Sequence, residues 1–134
     1  MRPNLSNPWD DSDIQAETCL SFGETRMQAK QFKALKQGKI RPDIKLDLHG
    51  LHIDQAEDEL LACIQDAREQ QIRCILIIHG KGGRFHGAST LKTHVNNYLK
   101  QLSDVLAFHS ATPRDGGTGA LYVLLRSQRT EETY

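Results

Sequence analysis

Two stretches of this 134-residue chain carry side chains whose types and spacing suit chemistry, acid-base work in one and anion binding in the other. The first is Leu46-Asp47-Leu48-His49-Gly50. Along an extended chain, side chains alternate between faces, so Asp47 and His49 share one side and the carboxylate can orient or charge the imidazole. That pair suits acid-base work, and Gly50 lets the chain turn and a ligand approach the backbone. The competing reading is that Asp47 caps a turn and His49 is a satisfied histidine. The second stretch is His79-Gly80-Lys81-Gly82-Gly83-Arg84. Glycines expose backbone N–H groups, Lys81 and Arg84 bring charge, and a following helix adds its dipole, which together make a phosphate cradle. The alternative is a loop with solvated cations. It is neither a Walker A loop nor a GxGxxG fingerprint, so a nucleotide cofactor is not indicated.

A third glycine-rich run, Arg114-Asp115-Gly116-Gly117-Thr118-Gly119, has more glycine than a simple hairpin needs, and Arg114 offers another phosphate contact. By itself it is a turn. Six histidines and Asp47 invite a metal reading, but there is no HExxH and no His/Cys ligand series to support zinc.

The elements that would position these residues follow from periodicity. Residues 1 to 23, with Pro3 and Pro8, read as a poorly structured lead. Residues 24 to 37 lack Gly and Pro, and Gly38 stands where a helix ends, which predicts a basic helix with Met27, Phe32 and Leu35 along its apolar edge. Ile44 to Leu48 alternates as a strand. A helix follows, with Asp54 and Glu57 as its capping box and Ile53, Ala56, Leu60, Ile64 and Ala67 on its apolar face. The continuous run Cys74 to Ile78 predicts a central strand covered on both faces. Ser89 is the expected cap of a helix in which Ala88, Leu91, Val95, Leu99 and Leu102 keep helical spacing. Strands over 105 to 110 and 120 to 126 complete a βαβαββ order. Right-handed crossovers then give an α/β sandwich whose carboxyl strand ends hold both histidine-glycine signals. The expected organisation is an N-terminal extension over 1 to 43, a domain over 44 to 126 and a tail over 127 to 134.

Composition narrows the partners. Lysine plus arginine and aspartate plus glutamate each number 17, so no whole-molecule field recommends a ligand. The zero is cancellation between blocks. Residues 26 to 45 hold seven cations and one acid, and residues 73 to 100 hold five cations and no acid; residues 46 to 72 hold seven acids and only Arg68. The longest strictly apolar run is five residues, and no hydrophobic stretch follows a basic start, so neither a membrane span nor a secretory signal is expected. Three cysteines without a CxxC pair suit reduced thiols in a cytoplasm, where each packs as a small hydrophobe.

Taken in order over residues 44 to 126, these motifs resemble the small MutS-related (Smr) domain: LDLHG at 46 to 50, IIHGKG at 77 to 82, Leu91-Lys92 opening a helix, AFHSA at 107 to 111 and GGTGALYVLL at 116 to 125. The basic helix before LDLHG is similar to the flank of stand-alone bacterial members. The resemblance implies a two-layer βαβαββ sandwich like the C-terminal domain of translation initiation factor three, with an N-terminal helical extension. It also implies nucleic-acid binding and endonuclease activity, either nicking of DNA or cleavage of messenger RNA at stalled ribosomes. On it, Asp47, His49 and His79 are the catalytic candidates, and Gly80, Lys81, Gly82, Arg84, Lys92, Arg114, Gly116 and Gly117 the nucleic-acid contacts. Gly83 to Ser89 makes a longer loop than the family's common pattern. RNA cleavage needs no cofactor, whereas DNA nicking calls for an activated water with a divalent ion, Mg or Mn, at Asp47. The rival reading is a non-catalytic RNA- or ribosome-binding module.

Overall fold

A computed structural model describes residues 14–81 and 90–127. Five strands form one sheet: β1 (Ser21–Gly23), β2 (Ile44–Asp47), β3 (Cys74–Ile78), β4 (Val105–Ser110) and β5 (Ala120–Leu125), in the order β1-β4-β5-β3-β2. Helices α1 (Ala29–Lys36), α2 (Ile53–Glu69) and α3 (Thr90–Gln101) complete the fold. β2 and β3 pair in parallel, as a βαβ unit requires, and β5 runs antiparallel to both β3 and β4. The expected four strands and three helices are present, in mixed α/β form.

Alternation along the strands sorts the apolar side chains into two cores. Ile75, Ile77, Phe108, Leu121, Val123 and Leu125 face α2 and α3 with Ala56, Leu60, Ile64, Val95 and Leu99. Cys74, Leu76, Ala107, Tyr122 and Leu124 face the other way and meet Leu35 of α1. Each fully buried aliphatic side chain is worth roughly 1.5–3 kcal/mol relative to exposure, so α1 is fastened to the reverse face chiefly through Leu35. At the end of α1, the amides of Gly38 and Lys39 bond back to the carbonyls of Leu35 and Ala34, a paired C-terminal cap.

Four expectations are corrected. Within the lead, Ser21–Gly23 pairs antiparallel with Ala107–His109 as an edge strand too short to show a period-two pattern. The basic helix starts at Ala29 and not at residue 24, because residues 24 to 28 form a turn closed by the Met27 amide on the Glu24 carbonyl. The centre of the sheet is β5, buried at all six positions, with β3 beside it; an apolar run reports burial but not rank in the sheet. The cap of α2 is His52, whose amide donates to Gln55 Oε1 at 3.3 Å, while Asp54 lies in the first turn and complements the helix dipole. The expected Ser89 cap lies outside the described residues.

Candidate functional site

β2 places its apolar residues toward α2 and turns Lys45 and Asp47 to the opposite face, where both are exposed. Just past its end, His49 Nδ1 lies 2.6 Å from Asp47 Oδ1, and the His49 amide donates to the same oxygen at 3.1 Å. Asp47 therefore both closes a turn and orients the imidazole: the two readings of this motif describe one arrangement. These bonds, led by that from the His49 side chain, hold the Asp47 carboxyl below its usual range. An ionised carboxylate only accepts, so Nδ1 carries the hydrogen, and in the neutral ring Nε2 is the nitrogen with the lone pair, on a side chain 68% exposed.

The Leu48 amide continues the ladder onto the Ile78 carbonyl at 2.7 Å, which brings the 79–81 loop beside His49. Gly80 has φ +79°, and a β-carbon there would lie 3.2 Å from His49 Cβ, so a side chain is unfavourable on both counts. The amides of His79 and Gly80 both donate to the Gly119 carbonyl, at 3.1 and 3.0 Å. These two amides are thus closed and do not form the expected cradle. Beyond them the loop brings the Lys81 side chain, half-exposed, to the surface.

His79 is not at the surface. It is buried, its Nδ1–H donates to the Gly80 carbonyl at 2.6 Å, and its Nε2 finds no partner among the described residues. Burial pushes its pKa down to about 4, so it is neutral at pH 7. Expected as a catalytic group, it lies here as a buried ring bonded to the Gly80 carbonyl. Lys92 is likewise withdrawn: fully buried, it donates from Nζ to the carbonyls of Ala16 at 2.9 Å and Thr18 at 2.5 Å, so it anchors the lead and does not face a ligand. Burial lowers its pKa to about 8. Gly82 and Arg84 lie outside the described residues.

The glycine-rich turn is held by a network that sequence reading missed. Arg41 places both terminal nitrogens on Asp115, at 2.8 and 3.3 Å; the buried Tyr122 donates its hydroxyl to the same carboxylate, and Thr112 Oγ1 lies 3.0 Å from that hydroxyl. Arg41 and Tyr122 together hold Asp115 down at about 2. The network shapes the single 3-10 turns Pro113–Asp115 and Gly117–Gly119, with Gly116 and Gly117 at φ 119° and 56°. Arg114 stays exposed at the rim, its Nε 3.9 Å from Asp115. Gly119 then meets the Gly80 loop, which joins the turn to the histidine motifs. The sequence shows only Asp115 before the glycines, because its partners Arg41 and Tyr122 lie 74 and 7 residues away.

The structure therefore brings together Asp47, His49, Gly80, Lys81 and the 116–119 turn, and leaves Lys92 and His79 behind them. His52, His94 and His109 are dispersed: His94 pairs with Glu57 at 2.6 Å, and His109 lies 3.7 Å from Cys19 Sγ. Among the described residues no group of three His, Cys, Asp or Glu gathers to hold a metal. A divalent ion at Asp47 would be held by Oδ2, because Oδ1 already accepts two hydrogen bonds, so water or a substrate phosphate would have to complete an octahedral oxygen shell. Among the same residues no helix is long and apolar enough to cross a membrane.

Comparison with known proteins agrees with the geometry. The chain is 43% identical over 95 residues to ribosome rescue factor SmrB of Tolumonas auensis, covering 71% of this chain and 52% of that protein, and 40% identical over 99 residues to SmrB of Yersinia enterocolitica, covering 74% and 53%. It spans about half the length of these curated relatives. Among solved structures it resembles YdaL, a stand-alone small MutS-related protein of Escherichia coli, with a TM-score of 0.75 and 27% identity over 94% of this chain and 93% of that one. The Smr domain of Thermus thermophilus MutS2 is similar with a TM-score of 0.55 and 30% identity, over 61% and 96%. The Smr domain family model matches residues 46–126, the span that holds both histidine motifs and the turn between β4 and β5, and the chain belongs to that family.

Proposed function

We propose that this protein binds RNA at the ribosome and cleaves it through the Asp47–His49 pair. The observation that carries the cleavage is the 2.6 Å contact that commits His49 Nδ1 to Asp47 and leaves Nε2 exposed as a base. The ribosomal setting is supported by the relatives, which are named as ribosome rescue factors. In the proposed step, His49 Nε2 takes the proton of a ribose 2′-OH. The 2′-oxygen attacks the adjacent phosphorus, the bond to the 5′-oxygen breaks, and that oxygen leaves with a proton from solvent. The products are a 2′,3′-cyclic phosphate and a 5′-hydroxyl. Lys81, exposed beside the pair, offsets charge on the phosphorane. Acid-base help of this kind gives about 10²- to 10⁴-fold, and positioning must supply the rest.

A second reading, a ribosome-binding module without catalysis, is favoured by those same names, which speak of rescue and not of cleavage, and by the burial of His79. The test is incubation with single-stranded RNA, ribosomes carrying messenger RNA, and plasmid, each with and without EDTA. A 2′,3′-cyclic phosphate formed in EDTA supports the proposal. Strict dependence on Mg²⁺ or Mn²⁺ with 5′-phosphate ends sinks the RNA route, and binding without any cut establishes the module.

A further inference from the structure

The lead segment crosses the site, and one of its side chains occupies it. Glu17 Oε2 accepts from the Lys81 ammonium at 2.8 Å, and Oε1 accepts from the Thr118 hydroxyl at 3.1 Å. Two oxygens of one anionic group are thus each held by a donor, one from the loop after β3 and one from the glycine-rich turn. The non-bridging oxygens of a backbone phosphate present the same pattern. Thr118 had no assigned part, and nothing in the sequence pointed to Glu17.

The backbone on either side of Glu17 is fixed independently of its carboxylate. The buried Lys92 ammonium holds the carbonyls of Ala16 and Thr18, the residues immediately before and after Glu17. Further along, the Leu20 amide donates to Ser110 Oγ at 2.8 Å, and the Ser110 amide to the Leu20 carbonyl at 2.8 Å. The Glu17 side chain itself is 73% exposed and Lys81 51% exposed. An ion pair this wet is weak, so the carboxylate can leave while the strap stays in place. The two donors lower the Glu17 carboxyl from its usual value, which keeps it ionised at neutral pH.

We infer that Lys81 and Thr118 form a seat for one phosphate of the RNA backbone and that Glu17 fills this seat as an internal competitor until RNA displaces it. The inference rests on the RNA reading above. It adds Thr118 as a binding residue, and it makes entry of RNA a displacement. A β-carbon on Gly119, which follows Thr118, would lie 3.6 Å from Lys81 Cγ and from the Gly80 carbonyl carbon, and Gly80 in turn abuts His49, so the seat is built on the loop that packs against the proposed base.

The test is the affinity of the full chain for a short fluorescein-labelled single-stranded RNA, read by anisotropy. It compares wild type with Glu17→Ala, and with Glu69→Ala at the far end of α2 as a control for loss of charge alone. Glu17→Ala is expected to tighten binding about two- to fivefold, the size of a surface ion pair, and Glu69→Ala to leave it unchanged. Thr118→Val is expected to weaken binding more in the Glu17→Ala chain than in wild type, because only there is the hydroxyl free from the start. Equal affinity of Glu17→Ala and wild type, or a gain matched by Glu69→Ala, overturns the seat while the RNA reading stands. No binding by any variant overturns the RNA reading and the seat with it.

Discussion

At the scale of single residues, exposure and burial divide two histidines that the sequence presents as equals. His49 is exposed and held by Asp47, whereas His79 is buried and neutral, bonded to the next carbonyl. Replacing His79 by Gln is predicted to act through stability and its pH dependence. In the unfolded chain this imidazole takes up a proton near 6.5, and in the folded protein only at about 4. Stability tied to the neutral ring is therefore complete above about 6.5, falls as the pH drops, and by about 4 has decreased by about 3 kcal/mol. Urea denaturation between pH 7 and 4 should show this slope in wild type and lose it in His79→Gln. Gly80→Ala tests the support from the other side. The added methyl meets a positive φ and the His49 side chain together, and displacement of the base should reduce cleavage about tenfold while the fold survives. A Gly80→Ala chain with unaltered turnover would show that the imidazole position is not set by this contact.

At the scale of elements, what could be read from sequence was what local periodicity encodes. The strands Cys74–Ile78 and Val105–Ser110 and the apolar faces of α2 and α3 follow from spacing, and so does the placement of Asp47 with His49 on one side. What escaped was long-range. Ser21–Gly23 is an edge strand only because Ala107–His109 offers it a free edge, and Lys92 reads as a surface cation because nothing near it in sequence reveals the carbonyls of Ala16 and Thr18. Glu17 belongs to the same class, since its partners lie 64 and 101 residues away. Lys92→Met keeps the volume and removes the donor, leaving two carbonyls without it. That change should cost about 1–3 kcal/mol in thermal denaturation and release the strap to limited proteolysis near residue 17. Intact protease resistance in that variant would assign the strap's order to its packing alone.

At the scale of the whole molecule, neutrality hides an asymmetry. α1 packs on one face of the sheet with Lys30, Lys33 and Lys36 exposed, while α2 covers the other with Asp54, Asp58, Glu59, Asp66 and Glu69 exposed. β2 turns Lys45 and Asp47 toward the α1 side, so the Asp47–His49 pair opens on the cationic half. RNA should dock there in spite of a net charge of zero. With three or four phosphates neutralised at about −0.7 each, the logarithm of the binding constant should fall against the logarithm of salt with a slope of about −2 to −3. A slope near zero would remove the cationic face from the account. The most direct test of its centre pairs wild type with His49→Ala on ribosomes carrying messenger RNA, measuring bound fraction and cut ends in the same samples. The account predicts that His49→Ala loses cleavage by at least about 10²-fold with binding intact. Undiminished cleavage by His49→Ala, or wild-type binding that never yields a cut end, would contradict it.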